Sequence, residues 1–341
     1  MKREKDSSQA AHATLTGAAS GGAVSTVFGP VPSRRLGRSL GIDVIPHKTC
    51  SFDCIYCESG RTTCLTLERQ VFVPPERVVR DLRDHMIDHP GQADVLTLSS
   101  AGEPTLYAAL GDLLQMVKGS FPDLPLAVLT NGSLLWDPVV RKDLMWADIV
   151  IPSLDAVTPA VFRKINRPCG GLTVDAILEG LRAFRKDYRG QLRVEVLLVA
   201  HHNDDPAELA RLARVLEAVR PEAVELNTVV RPPAFPGAAG LPQAEMELAL
   251  AHFQGLNARI IGSYQGGGIC RQEDRLEQRI LDLVGRRPCT AVEMAQSLSV
   301  SAARMERSVE GLLKSGSLVT YSHGGALYYC LPSRGRQRSR D

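Results

Sequence analysis

Residues 48–57 read Lys48-Thr49-Cys50-Ser51-Phe52-Asp53-Cys54-Ile55-Tyr56-Cys57. Three thiols within eight residues, in the spacing C-x3-C-x2-C, point to a metal centre. A [4Fe-4S] cluster takes thiolate ligands, and one loop wrapped around a corner of the cube supplies several of them. Three ligands from one loop leave an iron open. Inner-sphere chemistry requires that arrangement, since catalytic metals keep a free position and structural ones are closed. Zinc is the competing occupant, but zinc loops come as pairs of C-x2-4-C and this chain has no second pair. The remaining cysteines, Cys64, Cys169, Cys270, Cys289 and Cys330, stand singly, and Cys64 reads as an ordinary thiol. Eight cysteines in 341 residues are too sparse for a disulfide scaffold, and Lys2, Arg3 and Lys5 lead into small polar residues rather than an apolar signal run. The thiols are therefore expected reduced, in a cytoplasmic protein.

Around this loop, short apolar runs alternate with helical-period segments. Leu40, Ile42 and Val44 alternate as a strand does. Pro74-Pro75 opens a helix carrying Val78, Val79, Leu82 and Met86 at helical spacing, and strands follow at Asp94 to Ser99, Leu126 to Thr130 and Asp148 to Ser153. Later strands are expected at Leu192 to Ala200 and Ala223 to Val229, with a last short apolar run at Arg259 to Ile261. About six strand-helix units in succession imply an α/β fold with a parallel sheet, open or rolled into a partial barrel, and ligands at the strand C-termini.

The cysteine loop resembles the signature of the radical S-adenosylmethionine (SAM) superfamily, C-x3-C-x-aromatic-C after the first barrel strand, with Tyr56 in the aromatic position. The resemblance implies a partial (β/α)6 TIM-like barrel in which Cys50, Cys54 and Cys57 bind three irons of a [4Fe-4S] cluster. The fourth iron would chelate the amino and carboxylate groups of SAM. One electron would then cleave SAM to methionine and a 5'-deoxyadenosyl radical that abstracts hydrogen from substrate.

Ser100-Ala101-Gly102-Glu103-Pro104 resembles the superfamily's GGEP element, with Ala101 replacing the first glycine, so Gly102 and Glu103 are implied at the SAM amino group. At the next strand ends, Thr130-Asn131-Gly132, Ser153-Leu154-Asp155 and Asn166-Arg167-Pro168 place polar side chains where the ligand would lie. The family pattern implies Asn131, Ser153, Asp155 and Arg167 around SAM. Glu195 and Asn227, in otherwise apolar strands, face either the barrel interior or solvent, and Arg34, Arg35 and Arg38 form a charged run beside the first strand. Through Gly29 to Asp43, Lys48 to Cys57, Gly102 to Leu106 and Asn227 to Pro233 the chain resembles the subgroup that includes wyosine-forming tRNA enzymes and bacterial Fe-S oxidoreductases, over about Phe28 to Pro233. Those tRNA enzymes carry a second cluster on cysteines upstream of the signature, whereas the first cysteine here is Cys50.

Beyond Gly266-Gly267-Gly268 the pattern becomes helix, helix, helix, hairpin. Thr290 with Glu293 forms a capping box, Met305, Val309, Leu312 and Leu313 share a helix face, and Gly324-Gly325 is a two-residue hairpin turn. A winged helix is expected. The predicted organisation is a disordered segment at 1–25, the barrel at 26–265, a winged-helix-like domain at 271–331 and a basic disordered tail at 332–341.

Composition limits the partners. Apolar residues make up 44% and charged residues 23%, as in soluble globular proteins, and no run approaches the roughly 18 apolar residues of a spanning helix, so no membrane partner is expected. The net charge is only +2, and Arg271 to Cys330 hold eight basic against seven acidic side chains. That balance argues against duplex DNA, which wants a basic recognition helix. The expected partners are an electron donor such as flavodoxin or ferredoxin and a substrate that is a tRNA, a peptide or a small molecule. An alternative function is a redox-sensing iron-sulfur regulator whose winged helix binds nucleic acid.

Overall fold

The computed structural model describes residues 26–261, 276–298 and 300–332. The segment 1–25, the glycine boundary, Cys270 and nearly all of the basic tail lie outside the described residues.

The first strands are β1 (Val27–Ser33) and β2 (Gly37–Ile42). The cysteine loop follows, bracketed by a two-residue parallel ladder of β3 (Thr49–Cys50) and β4 (Cys64–Leu65). Then come α1 (Pro75–Asp88), β5 (Val95–Leu98), α2 (Leu110–Ser120), β6 (Leu126–Thr130), α3 (Pro138–Asp143) and β7 (Ile149–Pro152). The remaining units are α4 (Pro159–Ile165), α5 (Val174–Asp187), β8 (Gln191–Leu198), α6 (Pro206–Val219), β9 (Ala223–Thr228), α7 (Gln243–Leu250) and β10 (Ala258–Ile260).

One eight-stranded sheet runs in the order β1-β2-β5-β6-β7-β8-β9-β10, parallel throughout except for β1. The helices follow their start signals. Proline occupies the first turn of α1, α3, α4 and α6, where the missing N–H costs nothing, and Asp205 caps α6 by accepting from Ala207 and Glu208.

The strands bury both faces, at their period of two. Leu96, Leu98, Leu126, Val128 and Val150 join the main core under the helices. Val95, Ala127, Ile149 and Ile151 form a separate small core on the other face, closed by Leu36 from the β1–β2 turn. That turn also shows that the sheet is rolled. Arg35, at the edge carrying β1, hydrogen-bonds Glu195 on β8 and lies 3.3 Å from Glu225 on β9, near the opposite edge. Glu195 accepts 2.8 Å from Asn227, so both residues face the interior of the roll. Arg38 pairs instead with the exposed Asp94.

The six strand-helix units are present among the described residues, and the short run after α7 adds a strand, pairing with β9 as β10. The antiparallel β1 was not legible, because its two prolines and a glycine depress strand character. It is tolerated as an edge strand with an irregular register between Phe28 and Val31, where Gly29 takes φ +101°.

The C-terminal region has its own apolar core around Ile280, Val284, Met294, Met305, Val309 and Leu312. It consists of α8 (Leu276–Arg286), α9 (Ala291–Ser297), α10 (Ala302–Lys314) and the hairpin β11 (Val319–His323) with β12 (Ala326–Cys330). The Thr290–Glu293 capping box is formed, and Gly324 and Gly325 both take positive φ, as a type I′ turn demands. Cys289 and Cys330 are buried in this unit. Among the described residues no helix is long and apolar enough to cross a membrane.

Candidate metal and SAM site

The cysteine loop leaves the C-terminal end of β2 and is pinned by backbone hydrogen bonds from its neighbours. Lys48, at φ +59°, donates its N–H to Ala101 at 3.0 Å. Asp53 N–H donates to the carbonyls of Asn166 and Arg167, Ile55 N–H to Ile165 at 2.9 Å, and Ser51 O accepts from Cys169 at 2.8 Å. Loop backbone without regular structure needs such partners. Here they come from the loop after β5 and from the end of α4 with the turn that follows it, so the barrel end dictates the loop.

Each of the three sulfurs meets a nitrogen donor. Lys48 Nζ lies 3.2 Å from Cys57 Sγ, Asn131 Nδ2 3.6 Å from Cys50 Sγ and Asn166 Nδ2 3.6 Å from Cys54 Sγ. Burial pushes the Cys50 thiol up to about 12, with Glu103 adding to it, and burial together with Cys57 and Cys50 raises Cys54 well above the usual thiol range. Clustered half-buried thiolates repel one another unless a cation joins them, and metal ligation inverts this pKa logic. Among the described residues no three His, Cys, Asp or Glu side chains are placed to hold a single ion. In an iron-sulfur cube each thiolate takes its own iron, so the donor set suits a cluster.

The other sequence-predicted residues divide. Tyr56 donates its hydroxyl to Asp155, which also accepts from Asn166 Nδ2 at 2.8 Å and from Leu197 N–H at 2.9 Å. Burial lifts the Asp155 carboxyl to about 6, although these donors oppose it. Asn131, Ser153, Asp155 and Asn166 border one small pocket whose other walls are apolar, Phe52 and Phe162 among them, and Asn131 and Asn166 put it beside Cys50 and Cys54.

Gly102 is required by close approach. A Cβ there would stand 2.1 Å from the Thr49 carbonyl oxygen, and the next residue, Glu103, donates its N–H to that same oxygen at 3.1 Å. The glycine thus seats the β5 loop against the cysteine loop.

Two placements differ from expectation. Glu103 is 1% exposed, and its carboxylate is engaged by protein donors: Thr105 N–H at 3.0 Å, the Thr105 and Thr130 hydroxyls at 2.6 Å and Asn131 N–H at 2.7 Å. Through these bonds it orders the Thr130–Asn131 turn. Arg167, at φ +47°, turns away from the cleft to Asp53 at 3.3 Å and over the Phe235 ring. Its neighbour Asn166, 3% exposed, takes the inward position instead. Lys48 was also missed. Its only sequence signal is its place two residues before Cys50.

A model of the radical SAM superfamily matches residues 44–216, from the cysteine loop through α6. The chain belongs to the radical SAM superfamily. Members of this superfamily are enzymes that use SAM and a [4Fe-4S] cluster. A "UPF0026 protein" of Methanocaldococcus jannaschii is 32% identical over 317 residues, which cover 92% of this chain and 98% of that one. A "GTPase Obg" of Brachyspira hyodysenteriae is 34% identical over 89% of this chain, which spans only 45% of that longer protein. Among solved structures, a radical SAM methyltransferase from Sphaerobacter thermophilus superposes with a TM-score of 0.51 at 17% identity, over 65% of this chain and 66% of that one. That likeness is one of fold.

Proposed function

We propose that this radical SAM protein holds a [4Fe-4S] cluster on Cys50, Cys54 and Cys57 and binds SAM in the adjoining cleft. The observation that carries this is the convergence of three loop thiols, each facing a nitrogen donor, beside the polar side chains of Asn131, Ser153, Asp155 and Asn166. Bound there, the cluster supplies the electron that cleaves SAM reductively and starts hydrogen abstraction from substrate. The chain's own residues do the positioning. Glu103 sets the Asn131 turn, Asp155 with Tyr56 and Asn166 orders the wall beside Cys54, and Gly102 keeps the two loops in register.

A flavodoxin or ferredoxin is the proposed electron donor, and a reducing cytoplasm suits thiols that must stay free for iron. We assign the C-terminal three helices and hairpin to a winged-helix-like module that docks protein or substrate. Its Arg286 and Arg287 answer Asp43 and Glu58 of the barrel, which removes them from any role on duplex DNA.

The test is anaerobic reconstitution followed by reduction with dithionite and SAM. The wild-type chain should bind about four irons, the content of one cube, and release 5'-deoxyadenosine. The variant with Cys50, Cys54 and Cys57 all replaced by Ala should do neither. A triple variant that made 5'-deoxyadenosine at the wild-type rate would sink the proposal. Product formed above the uncoupled background with tRNA, peptide or small-molecule fractions then identifies the substrate class.

A further inference from the structure

The C-terminal unit meets the barrel at the two ends of the cysteine loop. Asp43, just past β2, hydrogen-bonds Arg286 at the end of α8, whose guanidinium also lies 3.9 Å from the Phe28 ring centroid on β1. Glu58, the residue after Cys57, accepts from Arg231 Nη1 at 2.8 Å and pairs with Arg287 at 3.5 Å. Arg231 in turn donates from Nε and Nη2 to Glu293 Oε1 at 3.1 and 2.8 Å. Glu293 is the acid of the α9 capping box, so its position is set inside the C-terminal unit. Tyr328 adds a hydroxyl bond to Val230 O at 3.1 Å, and Val31 packs into the C-terminal core.

The Arg286–Asp43 and Arg231–Glu293 pairs are sheltered, while Glu58 is 40% exposed between its two arginines. The Arg286 and Asp43 side chains are 19% and 12% exposed, and those of Arg231 and Glu293 14% and 28%. Sheltered pairs hold geometry that exposed ones do not, because water and salt screen them less. The flank of the loop that faces the β5 loop and the end of α4 is held by backbone bonds with Ala101, Ile165 and Asn166. The flank at its two ends is held by these side chains.

We infer that the C-terminal unit is a clamp on the cysteine loop, in which Arg286 and Arg287 fix the loop's entry and exit and so hold the three sulfurs at cluster spacing. Groups that orient metal ligands from outside control how tightly the metal is retained. The clamp deepens the proposed function, since it rests on the loop carrying the cluster, but the loop's rigidity is measurable without iron.

The test uses full-length chain carrying Arg286→Gln and Arg287→Gln together. Amide exchange across residues 43–64 of the apoprotein should quicken about tenfold or more, in line with loss of sheltered ion pairs. After reconstitution, a chelator should bleach the cluster's visible absorbance faster by a similar factor. Glu293→Gln is the second variant: Gln still serves a capping box, so α9 keeps its start while Arg231 loses its anion in the C-terminal unit and keeps only Glu58. It should loosen the loop in the same direction. Lys314→Ala, which removes an exposed pair within the C-terminal unit, should leave the loop unchanged. Wild-type exchange in both test variants, or equal loosening by Lys314→Ala, overturns the clamp. A wild-type chain that binds no iron overturns the cluster reading alone, and the exchange rates still decide the clamp.

Discussion

Glu103 accepts a hydrogen bond from the backbone N–H of Asn131 at 2.7 Å, and the Asn131 side chain reaches Ser51 at 2.9 Å and Cys50 at 3.6 Å. A buried carboxylate thereby connects the end of β5 to the cysteine loop through the end of β6. Glu103→Gln keeps the shape but turns an amide towards at least one of the four donors. A buried unsatisfied group costs about 1–3 kcal/mol, so thermal unfolding should shift down by that amount. SAM affinity of the reconstituted protein should fall with it. An unchanged melting curve would mean that the carboxylate is not engaged as described.

Asn166 and Arg167 are neighbours with opposite orientations, and their alanine variants should separate. Asn166→Ala removes the donor to Cys54 and Asp155 and should weaken SAM binding about tenfold, the equivalent of roughly 1.4 kcal/mol. Arg167→Ala removes an ion pair with a half-exposed side chain and should change binding by less than a factor of about three, within the range of surface pairs. Calorimetric titration of SAM into each variant measures both, and the reverse order would contradict the placement.

Gly102→Ala should abolish cluster assembly. Its Cβ would sit 2.1 Å from a backbone oxygen that no rotamer can move. Iron content after reconstitution is the readout, and a variant with normal iron would show that the two loops are farther apart than described.

The interior arginine and the surface arginine of the first hairpin should differ sharply. Arg35→Met leaves Glu195 and the fully buried Glu225 without their shared cation, although Arg259 still reaches Glu225 at 2.6 Å. Breaking a buried pair on one side costs about 3–5 kcal/mol. Arg38→Gln loses an exposed pair with Asp94, which contributes about 0–1 kcal/mol. Urea unfolding of both variants would test the contrast.

His85 supplies a pH dependence. Burial, followed by the stacked His89, holds its imidazole down at about 4, and its Nε2 is buried without a partner. A histidine lowered in the folded state favours the neutral form there, while the unfolded chain takes up a proton near 6.5. Its contribution is therefore fully present above about pH 6.5 and is lost as pH falls towards 4. His85→Gln should lose less stability than the wild type over that window in thermal melts, and parallel curves would refute the assignment.

The sequence alone determined what short windows of chemistry determine. The C-x3-C-x2-C spacing pointed to the superfamily, the switch between periods of two and 3.6 named the parallel sheet and its helices, and Thr290 with Glu293 announced α9. Only the tertiary structure decided which polar side chains face the cleft. Asn166 and Arg167 differ by one position in the chain, and their directions follow from the turn at the end of α4 rather than from residue type. The same holds for Arg35 and Glu195, 160 residues apart, whose meeting depends on how far the sheet rolls. It holds too for Arg286 and Asp43, 243 apart, whose meeting depends on where the C-terminal unit rests. Periodicity is written locally because hydrogen bonding and side-chain direction repeat every few residues. Long-range pairing is set by sheet order, curvature and docking, which no window of the chain contains.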